Sequence, residues 1–321
     1  MNARIPLLCA LACVHFASAF DGATKAQTIV WTSRADGRIQ SALSDGSGMQ
    51  EIVSGGNGTI GLAIDVAGGR VYWSEDLGDE IRRANLDGTD STVLIELPAQ
   101  TRPQGIALDL AGGRIYWAAY GTPAIQSANL DGTGVQTLVE LGPPSAPVGV
   151  ALDTENGVVY WSDSLRGTIQ RADLDGNNVQ DVVTGAAGPY YIAVDGLEQV
   201  VYWASFDAGW IDRARIDDGV ILQPPFSTPG GVAPVGIALD AAAGRVYWTL
   251  PGTAGKQEGS VGWTSLDGTS SQVLISRLET PWAIEFDPTP PPPPPVPALS
   301  DWGALCMALF VITSASIALG R

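Results

Sequence analysis

Reactive side chains are scarce in this 321-residue chain. It has a single histidine, His15, and three cysteines, Cys9, Cys13 and Cys306, all in apolar stretches near the two ends. Residues 27–287 contain neither type, and their only lysine is Lys256. That removes the commonest general base, the thiol nucleophile and the usual zinc ligands from this region. It also excludes a disulfide framework. A serine nucleophile would have Lys256 as its only lysine base, and no Gly-x-Ser-x-Gly elbow occurs. Basic charge is short as well: 17 Lys and Arg stand against 34 Asp and Glu, a net of −17. Such a surface repels phosphate backbones, so nucleic acid is not an expected partner.

Long apolar runs occur only at the ends. Arg4 precedes the apolar stretch Ile5 to Phe16, and Ala17-Ser18-Ala19 follows. This order predicts a signal peptide over 1–19, with a short leader over 20–26. Cys13 after Ala10-Leu11-Ala12 supports a second reading, a lipid-attachment site. Beyond residue 287, six consecutive prolines, Pro290 to Pro295, predict an extended spacer over 288–299. Trp302 to Gly320 carries no charge, and as a helix it would span about 28 Å, near the thickness of a bilayer core. The junction Val296-Pro297-Ala298-Leu299-Ser300-Asp301-Trp302-Gly303 resembles the IPTL-CTERM sorting signal of Gram-negative bacteria, which covers 300–321 here with the apolar helix. The resemblance implies transient membrane anchoring and a sorting peptidase as partner. A plain membrane anchor gives the same topology.

Between these ends the chain repeats. Six aromatic signatures occur: Val30-Trp31-Thr32-Ser33, Tyr72-Trp73-Ser74-Glu75, Tyr116-Trp117-Ala118-Ala119, Tyr160-Trp161-Ser162-Asp163, Tyr202-Trp203-Ala204-Ser205 and Tyr247-Trp248-Thr249-Leu250. Their tryptophans are 42, 44, 44, 42 and 45 residues apart. That period predicts propeller blades of four strands. An element such as Gly105-Ile106-Ala107-Leu108-Asp109 precedes most signatures, and a Leu-Asp-Gly turn follows most of them. Asp-Gly between strand-like runs signals a tight hairpin. The first signature lacks the preceding element, and Pro281 to Asp287 supplies it at the far end. The last strand is therefore expected to complete the first blade, giving an all-β, six-bladed propeller over 27–287. Adjacent Tyr and Trp point to opposite faces of a strand, so they are read as fillers between blades.

This pattern resembles the YWTD (class B) repeats of the low-density lipoprotein receptor family over about 260 residues. The resemblance implies the six-bladed fold. The family's fourth-position aspartate stands only at Asp163, with Glu75 close to it. The flanking cysteine-rich modules of the receptors are absent, so receptor biology does not carry over.

Other motifs are bland. Gly56-Asn57-Gly58-Thr59-Ile60-Gly61 has the spacing of a nucleotide-binding loop, but with no helix after it the segment reads as a turn. No cofactor is assigned. Calcium stays open because the ring is rich in aspartate, although no complete D-x-D-x-D-G loop occurs. Short uniform links such as Ala67-Gly68-Gly69 and the Asp-Gly turns fall on one face of the ring. The variable links fall on the other, with Gln223 to Ala233 and Leu250 to Gly259 among the longest. Loop variation marks that face for binding. Its candidate ligand residues are Glu75, Arg102, Tyr120, Asp163, Arg166, Tyr190, Tyr191, Phe206, Trp210 and Trp282; no catalytic residue is assigned. The expected function is an exported, monomeric binding propeller for a protein, peptide or glycan, placed at the cell envelope or surface. The alternative is a divergent metal-dependent propeller hydrolase or lyase that uses carboxylates.

Overall fold

A strand with large apolar groups on both faces must be covered on both sides, and a closed ring of sheets does this without leaving edges. In the computed structural model, which describes residues 27–287, the chain forms six four-stranded antiparallel sheets. Blade 3 is typical: Pro103–Asp109, Arg114–Ala119, Ala124–Asn129 and Gln136–Glu140 run outward from the axis. Blade 1 is composite. Its innermost strand is Pro281–Asp287, paired antiparallel with Thr28–Ser33 so that Ile29 faces Phe286 and Trp31 faces Ile284. The six innermost strands neighbour one another in a complete circle.

The signature residues hold the blades together. All six tryptophans and four of the five tyrosines are essentially inaccessible, and Tyr202 is nearly so. Each tyrosine shares an apolar cluster with the tryptophan of the next blade. Tyr72 packs with Trp117, Tyr116 with Trp161, Tyr160 with Trp203, Tyr202 with Trp248 and Tyr247 with Trp31. The third signature position works through its hydroxyl. Ser74 Oγ accepts the Gly61 amide of its own blade at 2.8 Å and donates to the Gln104 carbonyl of the next at 2.6 Å. Thr32, Ser162 and Thr249 make the same link between their own innermost strand and the next. Ala118 and Ala204 leave two blades without it. The innermost strands approach closely here. A Cβ on Gly149 would lie 2.7 Å from the Tyr190 carbonyl oxygen, so only glycine fits.

Aspartates close the turns. Asp87 accepts both the amide and the hydroxyl of Thr89, and Asp131 does the same with Thr133. At the inner links, Asp65 and Asp109 accept the Gly68 and Gly112 amides at 2.7 Å. Much of the acidic excess is therefore turn chemistry.

One expected link is different. Gln223 to Ala233 contains the outermost strand of blade 5, Phe226–Ser227, and a short 3-10 turn, Pro229–Gly231. Pro224 and Pro225 have no amide hydrogen, so the ladder resumes only at Phe226. The expected signal peptide, leader, spacer and sorting segment with its apolar helix lie outside the described residues. Among the described residues no helix is long and apolar enough to cross a membrane.

Candidate binding site

The residue after each second strand opens the variable face. In blades 1, 2, 3 and 5 it is Arg34, Asp76, Tyr120 and Phe206. The Asp76 side chain is fully buried, and its Oδ2 meets Arg34 at 2.9 Å and Arg102 at 3.5 Å. Its Oδ1 has no hydrogen-bond partner. The Arg34 guanidinium lies 5.0 Å from the centre of the Trp282 ring, and Arg102 lies 5.3 Å from that of Tyr120. Tyr190 stacks on Phe206 with centroids 4.7 Å apart. Burial raises the Tyr190 phenol, with Tyr120 and Asp207 adding to it and Arg34 opposing. Next to these contacts lies an open hollow of ≈ 500 Å³ between Arg34, Phe206, Trp282, Leu77 and Pro251. A wider groove of ≈ 780 Å³ adjoins it at Phe206, between the long links around Val232 and Thr253.

Backbone geometry holds Arg102 in place. Its φ is 50°, left-handed and unfavourable for a residue with a side chain. Asp79 fixes that conformation by accepting the Gln100 and Arg102 amides, each at 2.7 Å. Strain of this kind is found where a side chain must be aimed.

Of the ten candidate residues, Phe206 and Trp282 line the hollow, and Arg102, Tyr120 and Tyr190 stand beside it, Arg102 on Asp76, Tyr120 under Arg102 and Tyr190 against Phe206. The other five lie elsewhere. Tyr191 is a core residue, 8% exposed, and burial raises its phenol well above the ordinary value, with the Asp76 charge adding. Glu75 accepts Trp73 Nε1 and the Asn57 amide, each at 3.0 Å. Asp163 accepts the Ser145 hydroxyl and the Ala146, Leu165 and Arg166 amides. Both carboxylates are buried parts of the scaffold. The Arg166 guanidinium donates to the carbonyls of Pro144 and Gly142, which ties it to the preceding link. Trp210, 39% exposed, begins a third strand and donates to Asp212 at 2.9 Å. Sequence reasoning missed Arg34 and Asp76. The signal was present, since both stand three residues after a signature tryptophan, the column that also holds Tyr120 and Phe206. Among the described residues no group of three or more His, Cys, Asp or Glu side chains is arranged to hold a metal ion.

No family model matches the chain. Several solved structures share its fold. A chain of a nidogen/laminin complex aligns with a TM-score of 0.70 at 21% identity, over 81% of this chain and 98% of that one. TolB from Acinetobacter baumannii aligns at 0.63 and 14% identity, over 88% and 71%. Virginiamycin B lyase from Staphylococcus aureus aligns at 0.53 and 16%, over 67% and 69%. At these identities the likeness defines the architecture, a six-bladed propeller of four-stranded blades, and no more. One of the titles names a complex and another a lyase, so the fold by itself selects no activity.

Proposed function

We propose that the chain is an exported binding module whose variable face captures a protein, peptide or glycan segment bearing a carboxylate. The observation that carries this reading is the hollow's charge. Arg34, with Arg102 beside it, meets the buried Asp76 carboxylate in a chain of net −17, and the Phe206 and Trp282 rings line the hollow next to them. Arginine forks match carboxylates, and aromatic faces accept sugar or side-chain stacking. A hydrolase or lyase would need carboxylates converging on an ion, whereas Asp76 is already spanned by two cations. The signal-peptide pattern over 1–19 and the apolar segment 302–320 favour a place outside the cytoplasm, at the envelope or cell surface. Digestion of the propeller by protease added to intact spheroplasts checks that placement, and full protection until lysis contradicts it.

The binding test is an array of acidic peptides and glycans probed with the full chain. Trp282→Ala and Arg102→Ala should each weaken capture by about 1–3 kcal/mol with the ring still folded. Trp117→Ala should instead cost about 3–5 kcal/mol of stability through a core cavity. If Trp282→Ala unfolds the ring while Trp117→Ala loses capture and stays folded, the roles are reversed.

A further inference from the structure

Five innermost strands carry alanine at one equivalent position: Ala63, Ala107, Ala151, Ala193 and Ala238. The sixth, the closing strand, carries Glu285. These six residues line the axial channel, a cavity of ≈ 260 Å³ whose other lining side chains are aliphatic and whose exposed surface also includes much polar backbone. It opens past Leu110 on the face of the short inner links, opposite the arginine–aromatic hollow. No other ionisable side chain lines it.

The carboxyl of Glu285 is out of place on physical grounds. Glu285 is half-buried by its accessible surface, and desolvation inside the channel raises its titration from 4.5 to about 8. An alanine, as in the other five strands, would avoid this desolvation. Toward the variable face stands Tyr191, where four of the other blades have glycine: Gly61, Gly105, Gly149 and Gly236. Its hydroxyl is buried and unpartnered, and its ionisation responds to Asp76 and Arg34 on one side and Glu285 on the other. The channel is therefore a separate pocket, with one charge-bearing side chain among aliphatic side chains and backbone polar groups, and one mouth identified by its lining.

We propose that this channel binds a small organic ammonium ion, with Glu285 as counter-ion and the alanine ring enclosing the apolar part. Its volume equals that of roughly eight liquid waters, enough for a short alkyl body. A bare metal cation is a poorer match, because Glu285 is the only side chain in the lining with an oxygen ligand, and a hard cation collects six or more.

The experiment is an NMR titration of the full chain, labelled at alanine methyls, with n-butylammonium between pH 6 and 9. Saturable shifts of the ring alanines are expected, with affinity rising about tenfold per pH unit below about pH 8 and levelling above it. The neutral isostere n-butanol should show no such pH dependence. Glu285→Ala gives the closing strand the residue of the other five, and it should fold and bind n-butylammonium at least tenfold more weakly. Glu285→Gln keeps the volume and should do the same. Absence of binding to the wild type at pH 9, or equal binding by a folded Glu285 variant, overturns the proposal. So does an affinity independent of pH.

Discussion

Acidic residues in this propeller sit in two opposed environments. At the Asp-Gly turns, hydrogen bonds from Ser47, Thr89 and Thr133 hold Asp45, Asp87 and Asp131 below their usual range. The Ser265 hydroxyl and the donors of Thr269 take Asp267 to about 2. A depressed carboxylate contributes stability above its unfolded value, which is lost as pH falls through the folded one. Glu285 has the opposite sign. Its folded value is raised, so the unfolded chain ionises first, and stability drains as pH climbs from 4.5 to about 8. Glu285→Ala should match the wild type below about pH 4.5 and then become the more stable protein. The gap should widen by about 1.4 kcal/mol per pH unit up to about pH 8. Denaturant titrations across that range check it, and a gap that does not change with pH contradicts the assignment. The sequence marks the Asp-Gly turns and shows Glu285 where five other strands have alanine, but not the surroundings that raise its titration. Burial depends on which five residues surround it, and those come from five other repeats.

At the scale of the strand, the sequence carried more. The tryptophan period, the Asp-Gly turns and the missing and surplus strand elements are local patterns, and together they specify six blades and their closure. The third signature hydroxyl was visible as Thr32, Ser74, Ser162 and Thr249, but its role was not, because each acts on a neighbouring blade's backbone. Glu75 and Asp163 were misplaced for a similar reason. They stand near the rim in the chain, yet the donors of Asn57, Ser145 and Ala146 reach them from the preceding link. The closing strand is the element with most at stake. Removing Pro281–Asp287 strips the partner from Thr28–Ser33 and exposes both it and the flanks of two blades. The truncated chain should aggregate or melt far below the full chain, since an unpaired edge invites association. A monomeric truncation with unchanged melting would show that the ring does not depend on this pairing.

The whole molecule divides its labour between two faces. Uniform turns, closed by their own aspartates, form one face, and there the sequence leaves little freedom to vary. Links of different length and chemistry form the other, and they carry the arginine–aromatic hollow around the axis. An acidic body with a recess that presents arginine directs anionic groups toward it. Hydrogen exchange on the full chain, with and without the strongest-binding array member, tests this division most directly. The account predicts slowed exchange in the links after the second strands of blades 1, 2, 3 and 5, and around Arg102, Tyr190 and Trp282. Protection confined to the Asp-Gly turns or to the outermost strands would contradict it.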